Sequence, residues 1–279
     1  MTLTELWPPL TPEPGRRWTR RKVEFPFYYS AERKSVHIMA ELVSKASAVT
    51  EVLLRLKAKV EFVGVSAYSS GEDTITFSGI GKLRSSSDTP QSVRALISHL
   101  EFVRRSEVTG SKKGLLIDRF HTGFQVGDGE PFLMVPTAVL ASTFEAVGQA
   151  FGSGGETILY NQGKAYSVAR WAGISRALGP TAKARLEEVA AMTAAVGWAI
   201  VEIRHMPGTS VVEVVNHDCF ECSGIAKGGH GCPFLRGMAV GLIESAFGTR
   251  VTSQETRCRK DGADACVFVL KSADGRSLD

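Results

Sequence analysis

Glu255-Thr256-Arg257-Cys258 and, after a seven-residue gap, Cys266-Val267-Phe268-Val269-Leu270 decide how the C-terminal half of this chain is read. The run from Arg250 to Cys258 has strand character. Arg259-Lys260-Asp261-Gly262 makes a turn, and Cys266 to Leu270 is a second strand, so the two cysteines face each other across a hairpin. Twenty-two residues separate Glu255 from Cys232, which directly precedes Pro233. Proline is favoured at a first helical position. Leu235, Met238, Leu242, Ala246 and Phe247 then recur at helical spacing, with Gly248 as a stop. Cys232 therefore belongs at a helix N-terminus, where the dipole favours a thiolate. Three thiolates and a carboxylate in the pattern C-x22-E-x2-C-x7-C can surround a tetrahedral zinc ion, and a filled shell of four points to a structural metal. Glu255 and Cys258 are three apart and would point to opposite faces of a regular strand. A bulge or strand end is expected there if both bind one ion.

The remaining two of the five cysteines form a C-x-x-C, Cys219-Phe220-Glu221-Cys222. They are alternative metal ligands, combined with Cys258 and Cys266, or a redox pair. His217 and His230 flank the same stretch and are further substitutes for a thiolate. The glycine-rich run Gly224 to Gly231 lacks the spacing of a phosphate-binding loop and is read as a mobile loop that admits a ligand. No nucleophile elbow G-x-S-x-G is present.

Cys232-Pro233-Phe234-Leu235-Arg236-Gly237, Gly241 to Gly248, Glu255 to Cys258 and Gly262 to Phe268 together resemble the end of a 4-vinyl reductase (4VR) domain. The spacing is also similar to the zinc site in the sensor domains of bacterial phenol-responsive transcription regulators. The resemblance implies Cys232, Glu255, Cys258 and Cys266 as zinc ligands and an α/β domain enclosing a small hydrophobic or aromatic molecule. Leu159 to Gly163 before a helix, and Val196-Gly197-Trp198 before a strand, resemble further landmarks. One departure is Gly262-Ala263-Asp264, where the family's Gly-Asp pair is adjacent; the spacing between cysteines is kept. Phe144, Tyr160, Tyr166, Trp171 and Trp198 are core residues first and candidates to line the ligand cavity.

The N-terminal half carries no such motif. Residues 1–30 read as a basic, Pro-rich arm, with Arg16, Arg17, Arg20, Arg21 and Lys22 as a charge cluster able to meet nucleic acid or an acidic partner. Residues 31–109 read as βαββαβ: strands Val36–Val43, Val60–Ser69, Asp73–Leu83 and Phe102–Val108, with helices Ala46–Lys57 and Pro90–Leu100, the latter capped by Thr89. That order resembles the ACT domain and, more broadly, a ferredoxin-like sheet with both helices on one face. The Asp-x-Pro-Gly turn of amino-acid-binding ACT domains is absent, so a dimerising role is expected. Residues 110–135 are a connector whose middle, Gly114 to Val126, is expected to pair as a hairpin. Residues 136–279 form the 4VR-type domain. It opens with a helix from Pro136 carrying the stripe Leu140, Phe144, Val147, Phe151. Helices at Gly163–Leu178 and Thr181–Val196 and strands at Trp198–His205 and Ser210–Val215 follow.

The fold class expected is therefore α+β in two domains. A net charge of +4 marks no dedicated polyanion binder, and no apolar run approaches the ~20 residues of a membrane span. Without a signal-peptide layout the chain is expected in the cytoplasm, where cysteines serve metals rather than disulfides. The reading is of a homodimeric ligand-binding sensory or regulatory protein acting on a downstream regulatory partner, rather than an enzyme. The alternative is an enzyme or accessory factor for a tetrapyrrole or other hydrophobic substrate, against which stands the lack of a nicotinamide or flavin fingerprint.

Overall fold

The computed structural model describes residues 27–31, 34–45, 47–121, 124–126, 130–174, 181–205, 208–223 and 231–278. The basic cluster Arg16 to Lys22, most of the glycine-rich run (residues 224–230, with His230) and Ala46 lie outside them. The chain divides into two compact units between Leu133 and Met134. It is mixed α and β, with every sheet antiparallel.

The first unit contains β1 (Phe27–Tyr29), β2 (Ser35–Val43), α1 (Ala48–Leu56), β3 (Val60–Gly71), β4 (Thr74–Leu83), α2 (Pro90–Arg94), β5 (Val103–Gly110), β6 (Leu115–Ile117), β7 (Phe124–Val126) and β8 (Glu130–Phe132). Four strands form one sheet in the order β3-β4-β2-β5. Alternation decides its faces. Val36, Ile38, Ala40 and Leu42 point to one side and bury against Ala48, Val52 and Leu56 of α1 and against Val93 and Ile97. His37 and Met39 point to the other side and are buried as well, so β2 is covered on both faces. Thr89 caps α2 reciprocally: its side chain accepts the Ser92 N–H, and Ser92 Oγ accepts the Thr89 N–H. The helix itself ends at Arg94, and tighter turns carry the chain on to Leu100.

Two expectations fail here. Phe27–Tyr29 are not part of an arm, and the segment 114–126 is not a hairpin. Instead β1 pairs with β6, and β7 pairs with β8. The Asp118 carboxylate accepts the N–H groups of Phe120 and His121, which turns the chain directly after β6. Leu116 is fully buried, so β6 is held in place by burial and by β1.

The second unit contains α3 (Thr137–Phe151), α4 (Ser153–Ile174), α5 (Ala182–Ala195), β9 (Ile200–His205), β10 (Val211–His217), α6 (Pro233–Phe247), β11 (Val251–Arg257) and β12 (Cys266–Ser272). Its sheet runs β11-β12-β10-β9. α6 is buried along nearly its whole length, and Val240, Ile243, Phe268 and Leu270 sit in one core. Thr181 caps α5 through the Ala184 N–H, and Gly248 ends α6 in the left-handed region at φ 67°.

The helix expected from Gly163 starts ten residues earlier, at Ser153. Gly163 is interior because α4 crosses α6 there. A Cβ on Gly163 would stand 2.0 Å from the Phe234 carbonyl oxygen, and one on Gly237 2.0 Å from that of Tyr160. Both glycines permit backbone contact rather than end a helix. Of the α3 stripe, Leu140, Phe144 and Val147 meet the core, whereas Phe151 is 66% exposed at the helix end. The first strand of this sheet begins at Ile200 rather than at Trp198. Among the described residues, no helix is long and apolar enough to cross a membrane.

Candidate metal centre

Cys232 occupies the N-cap of α6 with Pro233 at the first helical position. Its own N–H donates to Glu255 Oε2 at 2.8 Å. The next exposed donors of the helix start, Phe234 N–H and Leu235 N–H, are taken by Glu221 Oε1 and Oε2 at 3.2 and 2.7 Å. Two carboxylates thus satisfy the opening turn, where the helix dipole favours negative charge. Glu221 is only 2% exposed. Burial pushes its pKa up to about 8, against the two backbone N–H groups that favour the ionised form.

The β11–β12 hairpin brings the other groups. Its register shifts between Glu255 and Arg257, and Cys258 follows at the strand end. The bulge solves the facing problem posed by the three-residue spacing. Arg259 N–H donates to Cys266 Sγ at 3.4 Å, and Gly262 closes the turn at φ 93°.

All five cysteines converge. Cys222 Sγ lies 3.3 Å from Cys232, 3.5 Å from Cys266 and 3.9 Å from Cys258. Cys232 lies 3.5 Å from Cys219, 3.8 Å from Cys258 and 3.7 Å from Cys266. A ligand atom of Glu255 is within 4.8 Å of Cys232, Cys258 and Cys266. His217 is not brought in; its Nε2 sits 3.4 Å from Glu202.

These groups fit a single metal ion. Four sulfurs around zinc at about 2.3 Å stand about 3.8 Å apart at tetrahedral angles, which matches the observed separations. A sulfur cluster carrying negative charge also needs a cation when buried. Hydrogen bonds from its neighbours, Cys219 first, hold the Cys222 thiol below its ordinary range. As donors, the Cys232 and Cys266 thiols are pushed above theirs. Lys260, 7% exposed, donates to the Gly231 carbonyl at 3.1 Å and stands 3.5 Å from Glu145. Burial opposes its charge, yet the sulfurs and carboxylates around it keep its pKa above the usual value. Glu255 Oε1 is buried and takes no hydrogen bond among the described residues.

An aromatic cluster adjoins the centre. Phe220 and Phe234 stand 6.2 Å apart, centroid to centroid, and meet Phe144 at 5.7 and 5.0 Å and Trp198 at 5.6 and 5.5 Å. Tyr166, 41% exposed, stacks on Trp198 at 4.8 Å. Of the five rings expected to line a cavity, Phe144, Tyr166 and Trp198 come together. Tyr160 and Trp171 instead lie under Arg236 and Arg185. Phe220, Phe234, Glu221 and Lys260 were missed as site residues. The signal for the first two was adjacency to cysteines; nothing in the sequence separates the last two from surface charges. A shallow crevice beside α3 is lined by Phe144, Glu145, Leu159, Glu221 and Lys260.

No curated protein matches the chain. Among solved structures it is similar to the phenol-responsive sensory domain of the transcription activator PoxR with phenol, at 20% identity over 52% of this chain and 79% of that one, TM-score 0.45. It is also similar to a vinyl-4-reductase family protein from Methanocaldococcus jannaschii, at 18% identity over 51% and 85%, TM-score 0.37. A third is a trafficking protein particle complex subunit 3 from Naegleria fowleri covalently bound to palmitic acid, at 13% identity over 50% and 96%, TM-score 0.39. Residues 212–272, the stretch from β10 to β12 that holds all five cysteines, match the vinyl-4-reductase (4VR) domain.

Proposed function

We propose that this chain is a ligand-binding sensory or regulatory protein whose second unit is stapled by zinc and takes a small hydrophobic or aromatic molecule at the cluster of Phe144, Tyr166, Trp198, Phe220 and Phe234. One observation carries the reading: the thiols and the rings come from the same two short segments. Phe220 lies between Cys219 and Cys222, and Phe234 is two residues from Cys232. Metal and ligand would therefore act on one piece of backbone. Tyr166 is the outer ring, and an entering aromatic competes with it for the face of Trp198. The 4VR-domain match over residues 212–272 supports the assignment.

For the metal, Cys232, Cys258 and Cys266 supply three thiolates, and Cys222 supplies the fourth. Cys222 is close to all three, and Glu255 already accepts the Cys232 N–H. Glu255 thus departs from the ligand set read off the spacing and becomes the group that orients Cys232. In the first unit the four-stranded sheet serves as an ACT-like pairing module for two chains. A ligand acts by favouring one of two arrangements of such a dimer, which needs unequal affinity for them.

A thermal-shift series tests the ligand class. Phenol-sized aromatics should raise the melting temperature of the zinc-loaded protein, and Trp198→Ala should abolish the rise. Stabilisation by amino acids or nucleotides alone contradicts the reading.

A further inference from the structure

We propose a second metal site, in the first unit, formed by His37, Asp118 and His121 and suited to a divalent transition ion such as zinc. His37 comes from the middle of the central strand β2, on the face opposite the helices. Asp118 and His121 come from the turn after β6, which the Asp118 carboxylate itself shapes. Ligand atoms of the three side chains lie within 4.8 Å of one another.

The orientation of the rings is what distinguishes this cluster from a chance group of polar residues. His37 Nδ1 faces Asp118 Oδ1 at 3.6 Å, and His121 Nδ1 faces Asp118 Oδ2 at 2.8 Å. Each outer nitrogen is held by a hydroxyl. His37 Nε2 is 2.8 Å from Ser78 Oγ, and His121 Nε2 is 3.4 Å from Tyr68 Oη. A metal-bound imidazole wants this arrangement: the far N–H given to a fixed partner, so that the near nitrogen presents its lone pair. Metal–nitrogen and metal–oxygen bonds of about 2.0–2.2 Å put neighbouring ligand atoms roughly 3–3.5 Å apart, close to the two separations seen. Phe120 covers His37, ring centroids 4.8 Å apart, which supplies a dry wall.

Access and charge agree. His37 is fully buried, Asp118 8% exposed and His121 30% exposed, so the site opens at one side only. Burial holds the His37 ring neutral near pH 7, its pKa down at about 4, the form that a metal requires. Three ligands from the protein leave at least one position open for water or another small donor, unlike the four-sulfur centre. Two imidazoles with one carboxylate suit zinc, nickel, copper or cobalt better than calcium or magnesium. The rival account is a metal-free clamp in which Asp118 merely ties two histidines to the loop.

Cobalt(II) titration of the tag-free, metal-stripped full chain separates the two. Cobalt on thiolates gives intense sulfur-to-metal charge-transfer absorption; cobalt on His, Asp and water gives only weak visible bands. We expect one equivalent that binds without charge-transfer absorption, and its loss in His121→Ala and Asp118→Asn with the thiolate signal unchanged. Ser78→Ala, which leaves the three ligands in place, should weaken that equivalent about 10–100-fold. Circular dichroism of each variant guards against a misfolded control, and His121→Ala alters a partly exposed loop side chain. A wild-type chain that takes up no thiolate-free equivalent overturns the proposal. So does a His121→Ala chain that folds and keeps it.

Discussion

The two units solve the same packing problem by different means. In the first, alternation does the work: β2 sends Val36, Ile38, Ala40 and Leu42 to the helices and His37 and Met39 to the opposite face. In the second, the equivalent position is held by α6, whose start carries two buried carboxylates and three nearby thiols in place of an apolar seam. An apolar core loses stability gradually as side chains are trimmed. A centre of charged ligands fails at once when its cation leaves, because the charges stay buried without a partner.

Metal removal gives the largest expected contrast. Zinc in small structural sites contributes on the order of 10 kcal/mol of apparent binding free energy, comparable to a domain's whole stability. A strong chelator, or acid that protonates the thiolates, should therefore raise hydrogen exchange across residues 200–272 and leave residues 35–110 protected. Equal loss in both units would break the comparison. Phe77→Ala is the converse experiment. Phe77 is fully buried in the first core, and its truncation should cost about 3–5 kcal/mol, read as faster exchange in β2 and β4 with zinc content unchanged.

Gly237→Ala probes the helix crossing. In an exposed helix this change stabilises by about 1 kcal/mol. At Gly237 the new Cβ would meet the Tyr160 carbonyl oxygen at 2.0 Å, so a net loss of roughly 1–3 kcal/mol is expected from overpacking. A stabilised variant would show that the crossing is looser than described. The smallest effect belongs to Thr89→Ala, which removes one side of the α2 capping pair at about 1 kcal/mol and should shift only the first unit's urea midpoint.

What the sequence disclosed follows the same division. The strands β2 to β5 were legible because alternation and the Thr89-Pro90 start are local signals. The β11–β12 hairpin was legible from cysteine spacing, and the strain between Glu255 and Cys258 foretold the bulge. The strands β1 and β6 were not, since three-residue strands carry no periodicity and their pairing spans some ninety residues of chain. Gly163 was read as a boundary because glycine weakens helices; only the neighbouring helix explains it. Glu221 and Lys260 looked like solvated charges, and their burial depends on a site that exists only once α3, α6 and the hairpin meet. Cys222 was visible as a candidate, but its contact with three other ligand sulfurs required the fold.

The most direct test of the central claim is zinc X-ray absorption on the tag-free full chain carrying one equivalent of metal. The account predicts a shell of four sulfurs at about 2.3 Å, reduced to three in Cys222→Ser and still four in Glu255→Gln. A shell dominated by nitrogen and oxygen, or four sulfurs undiminished in Cys222→Ser, would contradict it.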